Sequence, residues 1–266
     1  MDLKLNADRF TGSAYISTYD KFRPYPPKEI IQLAINYLGH SNNLSVVDLG
    51  CGSGISTFVW DGIATKIHGF DASEEMIEFA LKHNTNQTIS FNQAFSHAIP
   101  LKSNTIDIVS SSQSLHWMEP KSTFSEVNRL LKDKGVFLVY DVIWPLSLNT
   151  DYEMAYTELF KTVDKLTKNL NEEIAIRWDK TEHLQRIKDS NYFNYVKESY
   201  FHKSEPASKE KLIGIAMSQG GLEALIKKGF SSEACGIDKF ITTVNEMENI
   251  PKEMIYNYRV IFAVNN

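Results

Sequence analysis

Short apolar runs alternate with stretches of helical periodicity along the first 141 residues. The runs fall at residues 46–49, 66–71, 88–92, 106–112 and 136–140. Continuous apolar runs of this length, bounded by turn residues, predict strands of a parallel sheet covered on both faces. Between them the period is that of a helix. Ile30, Ile31, Ala34, Ile35 and Leu38 mark one face of 28–38, which the polar linker 40–43 joins to the first strand. A helix is expected from the glycines after position 49 through Trp60, and another from Ser73, whose first turn holds Glu74 and Glu75 at the positive end of its dipole. A third starts at Pro120, presents Phe124, Val127, Leu130 and Leu131 on one face, and is expected to end at Gly135. Strands alternating with helices predict an α/β fold.

The alternation stops at Asp141. Residues 143–191 read as helical, with Tyr152, Ala155, Leu159, Phe160, Val163 and Leu166 on one face and Trp144 and Trp178 near the ends. Residues 193–201 read as a sixth strand, 209–228 as helix around a Gly220-Gly221 break, 231–248 as helix and 256–264 as a seventh strand. The expected organisation is one structural domain in three stretches: a sheet core with an N-terminal segment (1–141), a helical insertion (142–192) and a return to the sheet (193–266). The N-terminal segment is aromatic from Phe10 onward. Tyr15, Tyr19 and Phe22 fall at helical spacing ahead of Arg23-Pro24-Tyr25-Pro26-Pro27, a proline-stiffened turn, and read either as a packed helix face or as a lid.

Val46-Val47-Asp48-Leu49-Gly50-Cys51-Gly52-Ser53-Gly54 carries the clearest chemistry. A buried strand runs into three glycines at alternate positions and then a helix, so positive φ is permitted and free N–H groups face whatever approaches the turn. The spacing is G-x-G-x-G, with Ile55 where a dinucleotide fingerprint needs its third glycine. Asp48, two positions before Gly50, is an awkward neighbour for a pyrophosphate and suits a ligand bearing an ammonium and a sulfonium, as S-adenosylmethionine does. Twenty-three residues beyond Asp48, Asp71 closes the second strand, where an acid can accept hydrogen bonds from both ribose hydroxyls. The glycine turn, followed by Gly69-Phe70-Asp71-Ala72-Ser73 and Met76, resembles the first two motifs of the class I S-adenosylmethionine-dependent methyltransferases of the type 11 domain. The resemblance implies a Rossmann-like fold, a seven-stranded mostly parallel sheet with helices on both faces and a substrate cap inserted after strand five. It also implies a cofactor site made by Tyr19, Arg23, Asp48, Gly50, Cys51, Gly52, Asp71, Ala72, Met76, Phe95, Ser96 and Gln113. Cys51 would act there by fit. Met76 and Phe95 read equally as core residues, and Ala94-Phe95-Ser96-His97-Ala98-Ile99-Pro100 is a degenerate form of the family's third motif.

Composition narrows the ligand class. The chain has 266 residues, 42% of them hydrophobic and 23% charged, with a net charge of −5 and no basic run longer than pairs such as Lys227-Lys228. The footprint of a nucleic-acid or acidic-membrane binder is missing, so a small-molecule substrate is expected. Two cysteines, Cys51 and Cys235, with no Cys/His cluster at ligand spacing, suggest neither a disulfide framework nor a metal site. No signal-peptide core and no run of about 20 apolar residues is present, so a cytoplasmic protein without stable membrane association is expected, as monomer or homodimer.

Chemistry is expected off the carboxyl ends of the strands, where Gln113-Ser114-Leu115-His116-Trp117 follows strand four. With Arg23-Pro24-Tyr25-Pro26 and Met217-Ser218-Gln219, this segment resembles the trans-aconitate methyltransferases of the fungal type, implying O-methylation of a small organic acid. His116 and Arg23 would be the catalytic pair and His116, Trp117 and Trp144 the substrate contacts. For a carboxylate acceptor His116 positions the anion; for a hydroxyl it is the general base. A quinone or lipid-like acceptor, a non-catalytic subunit that only binds the cofactor, and a nicotinamide oxidoreductase are the alternatives.

Overall fold

The computed structural model describes residue 6 and residues 12–170 and 176–265. Phe10 lies outside the described residues. Helices α1 (Ser13–Phe22) and α2 (Lys28–Leu38) lead into β1 (Ser45–Leu49), α3 (Ile55–Phe58), β2 (Lys66–Asp71), α4 (Glu74–His83), β3 (Ile89–Gln93), β4 (Ile106–Ser112), α5 (Pro120–Leu130) and β5 (Leu131–Ser147). Then follow α6 (Thr150–Lys168), α7 (His183–Asp189), β6 (Phe193–Pro206), α8 (Lys209–Met217), α9 (Gly220–Lys227), α10 (Ser232–Cys235), α11 (Ile237–Glu246) and β7 (Glu253–Asn265). The seven strands form one sheet in the order β3-β2-β1-β4-β5-β7-β6. Neighbours from β3 to β5 pair in parallel, and β7 runs antiparallel to both β5 and β6.

The continuous apolar runs of the strands follow from burial on two faces. Along β1, Val46 packs into one core cluster while Val47 and Leu49 pack into the other; Val136, Leu138 and Tyr140 divide from Phe137 and Val139 in the same way along β5. Side chains of a strand alternate, so both sets must be apolar when helices cover both faces. The first cluster takes in α2 and the helices α6, α8, α9 and α11; the second takes in α5 and α7. Local signals set several helix starts: Ser73 caps α4 by accepting from Met76 N, Asn149 caps α6 at Tyr152 N (3.0 Å), and Glu119 precedes Pro120 and accepts from the N–H groups of Lys121 and Ser122.

Four expected boundaries are corrected. Strand β5 is 17 residues long and absorbs both 131–135 and 141–147, so Gly135 lies within the strand and terminates no helix; the start of the supposed helical insertion is sheet, with Ile143 paired to Asn257 and Ser147 to Ile255. The helix after the glycine turn is only four residues long and gives way to turns at Trp60. Gly236, at φ 81°, splits 231–248 into α10 and α11. The break in 209–228 comes at Ser218-Gln219, just ahead of the glycines. Among the described residues no helix is long and apolar enough to cross a membrane, and no group of three His, Cys, Asp or Glu could hold a metal ion.

Candidate active site

Strand order reverses between β1 and β4, the position where open α/β sheets leave a crevice. A cavity of about 970 Å³ opens there, beyond the carboxyl ends of β1, β2 and β4 and beneath α1, α6 and the α8–α9 turn. Its first half is the glycine turn and the end of β2. Gly50 and Gly52 have φ of 67° and 54°; a Cβ on Gly50 would lie 2.5 Å from Ser114 Cβ, whereas a Cβ on Gly52 meets only Met76 Sδ at 4.0 Å. One glycine is needed for packing and the other leaves space open to a ligand. The turn is fixed to the sheet by Gly50 N and Cys51 N, both donating to Phe70 O.

Asp71 lies at the rim of this half. Its Oδ2 accepts from Gly52 N (2.9 Å) and its Oδ1 from Ser73 N (2.8 Å). Burial raises its pKa, an effect opposed by the amides of Ser73, Gly52 and Ala72. Ala72, Met76, Ala94, Phe95 and Ser96 continue the wall. Met76 is buried and Phe95 is about one-third exposed (37%), so the degenerate third motif still delivers a ring to the cavity edge. An acid with acceptor capacity beside a glycine cradle and a sulfur and aromatic wall fits the ribose, amino-acid end and adenine of S-adenosylmethionine.

Two expected contacts are corrected. Asp48 is fully buried and does not line the cavity: its Oδ2 accepts from Ser56 Oγ (2.6 Å) and Thr57 Oγ1 (2.8 Å) and its Oδ1 from Ser110 Oγ (2.8 Å). Burial pushes its pKa up to about 6, against the pull of those three hydroxyls. This acid ties β1 to α3 and β4 and does not face a ligand. Cys51 is buried outside the cavity, and burial pushes its thiol well above the usual range.

The second half of the cavity is lined by further residues expected at the site and by several that sequence reasoning missed. Tyr19, Arg23, Gln113, His116, Trp117 and Trp144 all line it. Gln113 adopts φ 50°, uncommon for a residue with a side chain, and its N donates to Tyr140 O, which turns the chain sharply off β4. Arg23 lies between Tyr19 and Trp144, 4.8 and 5.5 Å from their ring centres, and donates to Ser218 O (2.9 Å) and Gln219 Oε1 (3.0 Å). Its Nε is buried without a protein partner. His116 is buried, with Nδ1 3.9 Å from Asp141 Oδ1. Asp141 in turn accepts from Lys180 Nζ at 2.5 Å. Burial lowers the pKa of Lys180, opposed by Asp141, and burial holds the nearby His183 at about 4.

Lys180 and Arg177 both line the cavity, Arg177 with its guanidinium 5.7 Å above the Trp117 ring. Neither was marked in sequence; Trp178 between them was the available signal, and its N donates to His116 O (2.9 Å). Asn6 was missed as well. Its side chain bridges the two walls, Nδ2 donating to Trp117 O and Ile176 O and Oδ1 accepting from Ile176 N.

Residues 47–139 match the family model described as a methyltransferase domain. A protein of Saccharomyces cerevisiae, described as a probable S-adenosylmethionine-dependent methyltransferase, is 25% identical over 58% of this chain and 55% of its own length. The malonyl-[acyl-carrier protein] O-methyltransferase of Hahella chejuensis is 27% identical over 48% of this chain and 46% of its own. The chain thus spans about half the length of these two curated relatives. Among solved structures, phosphoethanolamine N-methyltransferase 2 of Haemonchus contortus, in complex with phosphomonomethylethanolamine and S-adenosylhomocysteine, superimposes with a TM-score of 0.58 at 15% identity, covering 97% of this chain and 60% of that one. Residues 47–139 are thus similar to a methyltransferase domain, and the chain as a whole has the α/β fold, built on one seven-stranded sheet, of the methyltransferase on which it superimposes.

Proposed function

We propose that the protein is an S-adenosylmethionine-dependent methyltransferase whose acceptor is the carboxylate of an organic acid. The observation that carries this reading is the convergence of Arg23, Arg177 and Lys180 on the half of the cavity that also holds His116 and lies beyond Asp71 and the glycine turn. When bound, S-adenosylmethionine supplies an electrophilic methyl group on a sulfonium. Asp71 takes its ribose, Gly52 makes room for its amino-acid end, and Met76, Phe95 and Ser96 border its base. An ionised acid needs no base, so the chain's task is to hold the anion in line and keep water out. Arg23 offers its buried Nε; Lys180 keeps further donors after serving Asp141. The likeness to a relative named malonyl-[acyl-carrier protein] O-methyltransferase, and the motif likeness to fungal-type trans-aconitate methyltransferases, support a carboxylate acceptor.

One observation favours a second reading. The approach of Asp141 to His116 Nδ1 is an acid–imidazole arrangement that would orient His116 as general base toward a hydroxyl acceptor.

Thermal unfolding with S-adenosylmethionine and S-adenosylhomocysteine tests the cofactor: at about 100 Kd a ligand specific for the native state adds about 2.7 kcal/mol, an easily seen shift. A panel of carboxylic acids, with methyl esters detected by mass, tests the acceptor. Absence of protection overturns the cofactor; protection with turnover of alcohols and of no acid moves the assignment to the second reading.

A further inference from the structure

The cavity is longer than its charged end requires. Helix α6 lends it Tyr156, Phe160, Val163, Thr167 and Leu170 of the chain just past its end. At 100° per residue these five positions fall within a stripe about 80° wide, while Thr157, Lys161 and Asp164, which also line the cavity, lie together on one flank. From Tyr156 to Leu170 the stripe spans 14 residues, about 21 Å of helix at 1.5 Å each. The charged end is at Tyr156, which adjoins Arg23 and Gln219, and Arg23 in turn stacks on Trp144.

Resting on the carboxylate reading above, the geometry points to an acceptor that is an amphiphile: a monocarboxylic acid with a linear apolar tail, its head among Arg23, Lys180 and His116 and its tail along the Tyr156–Phe160–Val163–Leu170 stripe. An extended chain gains about 1.25 Å per carbon with bonds near 1.5 Å, so the stripe is as long as a tail of about 17 carbons and takes the whole of a twelve-carbon one. A short polycarboxylate would leave the half-buried Phe160, Thr167 and Leu170 in water and bring surplus charge against them, with the exposed Asp164 beside them. The reaction stays balanced as an ester-forming displacement: a carboxylate oxygen forms the new bond to the methyl carbon, the bond to sulfur breaks with its electron pair remaining on sulfur, and no proton is left to dispose of.

The test is the wild-type protein with S-adenosylmethionine and butanoate, octanoate, dodecanoate or succinate, all below micelle-forming concentrations. Each fully buried methylene is worth about fourfold, so burial of even half of the eight that dodecanoate adds to butanoate should raise kcat/KM by about a hundredfold or more. A flat or falling series, or succinate outrunning dodecanoate, overturns the tail assignment while leaving a carboxylate methyltransferase in place. Failure to methylate any acid overturns both. Phe160→Asp, which charges the wall, and Thr167→Trp, which plugs its far end, should each cut the dodecanoate-to-butanoate ratio about tenfold; an unchanged ratio in both variants, with unfolding midpoints like the wild type, also overturns it.

Discussion

Asp48 and Asp71 lie at the ends of neighbouring strands and carry the same group, yet one is enclosed in the framework and the other lines the cavity. The difference lies in what surrounds them. Asp48 is enclosed by hydroxyls from α3 and β4, while Asp71 meets two backbone amides and keeps an edge toward the cavity. Asp71→Ala is expected to abolish the thermal protection given by S-adenosylmethionine with little change in the ligand-free midpoint; protection equal to wild type would remove the ribose role. Asp48 makes a prediction about pH. Its folded pKa of about 6 lies above the ordinary carboxylate value, so between pH 4 and 6 the native state holds a proton the unfolded chain has released. The stability this group contributes is present below pH 4 and falls away as pH rises through 6, a swing of about 3 kcal/mol. Asp48→Asn cannot titrate, so urea unfolding at pH 4.5 and 7 should show the variant gaining on wild type at the higher pH. A difference that does not change with pH refutes it. Strand-end position alone placed both acids near the turn. Nothing in the spacing showed that Ser56, Thr57 and Ser110 would converge on the first.

Helix α1 shows how an element closes the site through its packing. Phe22 lies against Gly214 of α8, where a Cβ would come within 2.4–2.5 Å of the ring, and Tyr19 and Arg23 on either side of Phe22 line the cavity. The α8–α9 turn is held to α1 by Arg23, and Lys21 pairs with Glu210 at 2.7 Å. Gly214→Ala should push Phe22 and α1 outward and weaken S-adenosylmethionine binding by about tenfold, or roughly 1.4 kcal/mol. Stability should move little, because alanine recovers up to about 1 kcal/mol of helix propensity against the overpacking. Calorimetric titration decides; unchanged affinity would mean that α1 does not cover the cofactor. At this scale β1 and the middle of β5 were legible because both their faces are buried and they are therefore nearly continuous in apolar residues, whereas β2 and the edge strand β3, partly exposed, were legible from their place in the alternation of strands and helices. Helix α1 was legible from its aromatic spacing. The length of β5 was not: Lys132, Asp133 and Lys134 are a poor strand by composition, and 143–147 become strand only because β7 returns to pair with them. Lys180 was hidden for a related reason, since its partner Asp141 is 39 residues away and no local period joins them.

Across the whole molecule, the three stretches expected from sequence share one core. A single cluster contains Val46 and Ile67 of the sheet, Tyr152, Tyr156 and Leu159 of α6, and Leu212, Leu222 and Phe240 of the later helices. The cavity wall is thus part of the same helix face that packs on the sheet, Tyr156 and Val163 belonging to both. The consequence is cooperative unfolding: α6, α8 and α11 should have no stability apart from β1 and β4. Leu159 is buried in α6 and away from the cavity lining. Leu159→Ala should cost about 2–5 kcal/mol, the range for a buried leucine that leaves a partly relaxed void. Native-state hydrogen exchange gives the decisive comparison. If the core is one unit, the slowest amides of β1 and β4 lose the same free energy as those of α6. If the helices form a separable cap, only α6 and its neighbours lose protection and the sheet amides stay as they were, and the residues that would grip the acceptor could then move without the residues that grip the cofactor.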